Sequence, residues 1–137
     1  MTEQSRDVTI AEYVAVSQLV SLYGHLFDGK KWKELDRVFH NDCVVDYRDS
    51  GRDRVVGLDS LREHMRNNPP TVISHMTTNL YVWREDDLLK ARSKLIAPLP
   101  DGTTLSGVYE DILCETRFGW RIAERVVRLR RSVEDTF

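Results

Sequence analysis

His75, Asp28 and Tyr23 are the residues from which proton-transfer chemistry could be built in this 137-residue chain. His75 lies in Ser74-His75-Met76-Thr77-Thr78-Asn79-Leu80, early in a long β-rich run. A period of two puts His75, Thr77, Asn79 and Tyr81 on one face and Met76, Leu80 and Val82 on the other. The first face is unusually polar for a central strand, and two readings stay open: it faces solvent, or it looks into a pocket. In a pocket the imidazole would serve proton transfer, because an unperturbed histidine titrates near neutrality. Such a base needs a partner to orient it and stabilise its charged form, usually a carboxylate on the other ring nitrogen. Asp28 is the best-placed acid: it follows Phe27 at the end of an apolar helical stripe and precedes Gly29, so its side chain leaves the helix at the edge of the core. The same position would suit an aspartate that merely ends one helix or caps the next. Tyr23, about one turn earlier, either directs its phenol toward that end of the pocket or packs as an ordinary core tyrosine. His25 falls off the apolar stripe and is expected at the surface.

The elements that must position these groups follow from spacing. Thr9-Ile10-Ala11-Glu12 has capping-box form, and Val16, Leu19, Val20, Tyr23 and Phe27 follow at helical intervals, predicting a first helix from about Ile10 to Phe27. Gly29 breaks it. Trp32, Leu35, Val38 and Phe39 supply the stripe of a short second helix ending near His40-Asn41-Asp42. A strand, Cys43 to Arg48, comes next, and Leu58 to Asn67 reads as a third helix stopped by Pro69-Pro70. From Val72 onward the period changes to two, giving four strand candidates: Val72 to Trp83, Leu88 to Ala97, Thr103 to Glu115 and Trp120 to Arg130. Helices grouped first and a long antiparallel meander afterwards imply an α+β fold, a curved sheet wrapped around N-terminal helices. The curl makes a cone whose mouth would hold a ligand.

Composition excludes several function classes. At 41% hydrophobic and 31% charged residues the chain can bury one core, so one domain over residues 1–137 is expected, with about 1–8 a flexible N-terminus. A net charge of -2 with interspersed signs offers no footprint for nucleic acid, and no apolar run approaches a membrane span. Cys43 and Cys114 are isolated, without zinc or redox spacing, and the N-terminus lacks signal-peptide character, so a cytoplasmic setting is expected. The four histidines show no HxH or HExxH spacing, and no metal site is expected.

Leu22-Tyr23, Asp28-Gly29, Lys31-Trp32, Leu35 and Phe39, Asp46-Tyr47, a helix after Gly57, His75 with Asn79, Gly107-Val108-Tyr109, and Gly119-Trp120-Arg121-Ile122 with Arg125 form a wider pattern. It resembles the nuclear-transport-factor-2-like superfamily, cone-shaped α+β barrels. Within that superfamily the chain is most similar to the SnoaL-like group that includes the scytalone dehydratases, bile acid 7α-dehydratases and hexachlorocyclohexane dehydrochlorinases. The resemblance implies His75 as general base, Asp28 as its orienter and Tyr23 as acid or hydrogen-bond donor. It also implies a substrate-side role for Tyr47 and for Asn79. Tyr109 or Asp111 stands in the region where scytalone dehydratase has a second histidine. Glu115 or Thr116 matches an arginine of the dehydrochlorinase, and Arg125 and Arg128 both lie near an arginine of the bile acid enzyme, strand parity letting only one face inward. The implied function is a cofactor-independent lyase, a dehydratase acting on a small hydrophobic or aromatic hydroxylated molecule. An isomerase or polyketide cyclase using the same pocket, or a non-catalytic ligand-binding or assembly domain, are the alternatives. Relatives self-associate through the convex sheet, implying a homodimer or homotrimer covering an outer face of Val82, Val108, Ile112 and Cys114.

Overall fold

In the computed structural model, which describes residues 7–137, Thr9 caps helix α1 (Ile10–Asp28) with a complete capping box. The Glu12 N–H donates to Thr9 Oγ1 at 3.1 Å and the Thr9 N–H donates to Glu12 Oε1 at 2.9 Å. All but the last two residues of the stretch expected to be flexible lie outside the described residues. The inward stripe of α1, Val16, Leu19, Val20, Tyr23, Leu26 and Phe27, is buried at 5% exposure or less.

Trp32–Arg37 forms a 3₁₀ segment rather than the expected α-helix, and strand β1 (Phe39–Asp46) begins where that helix was expected to end. Six residues after a glycine stop are too few to propagate a full helix, whereas Val38 already bonds to the sheet: the Ile122 N–H donates to Val38 O at 2.8 Å. Strand β2 (Arg54–Val56) and helix α2 (Leu58–Asn67) follow. The remaining strands are β3 (Met76–Glu85), β4 (Leu88–Pro98), β5 (Thr104–Thr116) and β6 (Gly119–Arg130). They form one curved, unclosed six-stranded sheet in the order β2-β1-β6-β5-β4-β3, antiparallel except for the parallel β1–β6 pair. The fold is thus α+β with helices on the concave side of the sheet, as the sequence pattern predicts.

The core is the filling of that concavity. Leu89, Ala91, Leu95 and Ala97 of β4, with Tyr109 and Leu113 of β5 and Ile122 and Val127 of β6, meet the α1 stripe. On β4 the alternation of apolar and Lys/Arg residues places the basic side chains on the outer face, as expected of a half-covered strand. An ion pair ties α1 to the sheet: the Glu12 carboxylate, largely buried, pairs with Arg84 of β3.

Candidate active site

Helix α1 approaches the start of β3 so closely that a Cβ on Gly24 would stand 2.8 Å from the His75 carbonyl oxygen. Only a residue without a side chain lets the two elements meet here. That contact brings the last residue of α1 onto His75. Both carboxylate oxygens of Asp28 accept the His75 backbone N–H at 3.1 Å, and Oδ1 lies 2.6 Å from His75 Nδ1. Asp28 therefore ties strand to helix and holds the imidazole by one nitrogen, leaving Nε2 as the ring nitrogen directed elsewhere. The His75 side chain is 10% exposed and that of Asp28 30% exposed. The imidazole stands edge-on to Tyr23, centroids 6.1 Å apart, and to Phe27 at 6.0 Å. A cleft of about 260 Å³, lined by Asp28, His75 and Thr77 among others, opens at this junction.

Behind His75 lies a sealed polar cluster. Asp111 and Arg125 are direct cross-strand partners on β5 and β6, and both side chains are fully buried. The Arg125 Nε–H and Nη2–H donate to the two Asp111 oxygens at 2.7 and 2.8 Å, a bidentate pair. The guanidinium sits 4.3 Å from the Tyr23 ring centroid and 4.0 Å from that of Tyr109. Its Nη1 makes no hydrogen bond of ordinary geometry. Tyr23 and Tyr47 meet hydroxyl to hydroxyl at 3.2 Å. Burial pushes the Tyr23 phenol above its ordinary pKa, against the opposing pull of Arg125. Burial, reinforced by the neighbouring Tyr23, pushes Tyr47 and Tyr109 well above it. At neutral pH all three are hydrogen-bond donors. Strand parity selects Arg125 for the interior; Arg128 is on the outer face, 2.7 Å from Glu110.

The expected face of β3 needs correction. Asn79 adopts φ of 52° in a bulge where the register with β4 shifts between Thr78 and Tyr81. The extra residue reverses the alternation, so Asn79 and Tyr81 are exposed, and Leu80 and Val82 pack against the core. Asn79 thus stands apart from His75, and Val82 leaves the outer apolar face, where Val108, Ile112 and Cys114 alternate with inward Tyr109, Asp111 and Leu113. Glu115 is exposed, and so is His25, as expected.

Sequence reasoning missed His64. It sits on the buried face of α2 with Leu58, Leu61 and Met65, a helical spacing that could have revealed it. Its ring stacks on Tyr47 at 5.6 Å with 9° between planes, and Nδ1 lies 3.7 Å from Asp53. Among the described residues no group of three or more His, Cys, Asp or Glu could hold a metal ion, and no helix is long and apolar enough to cross a membrane.

The chain is 29% identical over 131 residues to Rv2910c, an uncharacterized protein of Mycobacterium tuberculosis, with 85% of this chain and 84% of the relative covered. Among solved structures, Rv3472 of Mycobacterium tuberculosis, a protein of unknown function, superposes with a TM-score of 0.77 at 25% identity, over 91% of this chain and 75% of that one. A Novosphingobium aromaticivorans protein named as an aromatic ring hydroxylase gives 0.72 at 24% identity, over 90% and 92%. Another from that organism, named as a scytalone dehydratase, gives 0.69 at 17% identity, over 93% and 90%. The last two, at their low identity, share the fold alone. The sequence profile of the SnoaL-like domain matches residues 8–126, nearly the whole span over which the helices and the sheet come together around His75. The chain belongs to the SnoaL-like domain family.

Proposed function

We propose that the protein is a cofactor-independent lyase, a dehydratase of a cyclic or aromatic hydroxylated small molecule, with His75 as general base. The reading rests on one observation: a largely buried imidazole held at 2.6 Å by Asp28 and edge-on to Tyr23. In this scheme Nε2 of His75 takes a proton from a carbon beside a carbonyl or similar activating group, and the electron pair left behind forms the new double bond. The departing hydroxyl receives a proton from the Tyr23 side and leaves as water. Asp28 stabilises the imidazolium and keeps its ring in place. The fixed positive charge of Arg125 beneath Tyr23 and Tyr109 favours negative charge developing on their hydroxyl side. Substrate-side contacts fall to Tyr47 and Tyr109, while the sealed Asp111–Arg125 pair acts through the Tyr23 and Tyr109 rings that Arg125 touches.

Screening hydroxylated cyclic ketones and phenols by mass spectrometry tests the reaction, since a dehydratase yields a product lighter by one water. In His75→Gln, turnover should fall by about 10²–10⁴-fold while the fold persists. A folded variant with near-normal turnover would sink the dyad. A second reading, an isomerase or cyclase, is favoured by the paired Tyr23 and Tyr47 hydroxyls, which suit an enolate oxygen; its product would keep the substrate's mass. We further propose self-association through the outer face of the sheet, where Met76, Tyr81 and Ile96 are 49%, 65% and 42% exposed. Light scattering reads the oligomer directly, and a monomer at all concentrations would exclude it.

A further inference from the structure

Among the described residues, two hydroxyl groups on the concave face of the sheet are buried without any hydrogen-bond partner: Thr77 Oγ1 and Ser93 Oγ. Thr77 follows His75 by two residues on the same side of β3 and lines the cleft that holds the dyad. Ser93 is 1% exposed and pairs in register with Tyr109. Thr77 pairs with Leu95, so Thr77 and Ser93 are diagonal neighbours across β3 and β4, a separation of about 7–8 Å or somewhat less between side-chain roots.

The bulge leaves Ser93 without a regular partner on β3, whereas Thr77 lies in regular register just before it. Register partners jump from Thr78–Lys94 to Tyr81–Arg92, which leaves Ser93 opposite the displaced Asn79-Leu80 segment. Asn79 holds a left-handed φ of 52°, uncommon for a side-chain-bearing residue. A bulge of this kind breaks the ladder and re-aims the side chains beside it, a device concentrated at sites. Leaving a hydroxyl buried and unpaired is unfavourable when alanine or valine would fit the same space. Thr77, Ser93 and Tyr109 are thus register neighbours on β3, β4 and β5, with Thr77 two residues from His75.

We propose that Thr77 and Ser93 form a specificity subsite that takes a second oxygen substituent of the substrate ring, a hydroxyl that both donates and accepts. This deepens the lyase reading and rests on it for the identity of the substrate, although the subsite itself requires only binding. Each Ser or Thr hydroxyl can donate one hydrogen bond and accept others, so the pair matches a phenolic or alicyclic hydroxyl better than a bare anion or an apolar edge.

Resorcinol and phenol, which differ by one ring hydroxyl, are the probes, titrated into the protein and followed by NMR. The wild type should bind resorcinol about three- to tenfold more tightly than phenol, as one or two neutral hydrogen bonds imply. Thr77→Val together with Ser93→Ala should erase that preference, leave phenol binding unchanged, and raise the melting temperature of the free protein by about 2 °C or more. A wild type with no preference or no saturable binding of either probe overturns the proposal. So does a double variant that keeps the preference, or one that melts lower, which would mark the hydroxyls as structural. His75→Gln serves as the control: it should lower lyase turnover by about 10²–10⁴-fold yet retain the resorcinol preference. Failure of the lyase reading alone would leave that preference intact, whereas failure of the subsite would leave turnover on a singly hydroxylated substrate intact.

Discussion

Two charged constellations lie on neighbouring elements and are built on opposite principles. Asp28 and His75 are 47 residues apart in sequence and meet where a helix end touches a strand start, with the carboxylate still 30% exposed. Asp111 and Arg125 face each other within one hairpin and are sealed from solvent on all sides. On the proposed function His75 exchanges protons and needs a route to water or substrate, and the half-open Asp28 leaves one. A charge whose role is to bias its surroundings works best where no water can screen it. The difference is also one of fragility: the dyad depends on the approach of two elements, the interior pair on the desolvation of two charges.

Breaking the interior pair should produce the largest effect on stability. Removing the cation in Arg125→Met leaves Asp111 buried and unpaired, with an expected loss of about 3–5 kcal/mol in denaturant unfolding. Replacing both, with Asp111→Leu alongside, should recover most of that loss if the pair is there for electrostatics rather than for packing. The dyad responds differently. Gly24→Ala inserts a Cβ against the His75 carbonyl, so α1 and β3 must part by some tenths of an ångström. Turnover should drop by about 10²-fold or less, with a much smaller change in melting temperature. Tyr47→Phe removes one partner of the phenol pair and should cost about 0.5–1.5 kcal/mol of stability.

The smallest effect concerns His64, beneath Tyr47. Burial holds its imidazole below the ordinary histidine pKa; the Asp53 carboxylate opposes this, and Arg52 adds to it. The unfolded chain therefore binds that proton at a higher pH than the folded one. The His64 contribution is fully present above the unfolded value of about 6.5 and is lost as pH falls through the lowered folded one. His64→Phe keeps an aromatic ring on Tyr47 and should flatten that part of the stability profile below about pH 6.5. An unchanged slope would show that His64 titrates as it does in the unfolded chain.

How much of this was legible beforehand follows from the range of the forces involved. The capping box at Thr9 and Glu12 and the stripe from Val16 to Phe27 are local signals, and α1 ends at Asp28, one residue past the expected Phe27. The alternation from Leu88 to Ala97 likewise marked a strand within one residue of its end at Pro98. Short elements were less visible: three residues of β2 and six of the 3₁₀ segment carry too little periodicity. Asn79 misled for another reason. Period two holds only while every residue pairs, and nothing in Thr77-Thr78-Asn79-Leu80 announces that one of them will be extruded.

The sequence by itself determined the α+β class, the order of helices before the meander, and the residue types able to move a proton. Those depend on spacing within a dozen residues, where side-chain periodicity and backbone propensity act directly. The tertiary structure alone decided that Asp28 meets His75, that Arg125 rather than Arg128 is sealed against Asp111, and that Asn79 is turned out while Ser93 is left unpaired. Each of these is set by register and by the distance at which two remote elements stop approaching. That distance is fixed at Gly24, where the absence of a side chain lets the helix rest on the strand and the carboxylate reach the ring.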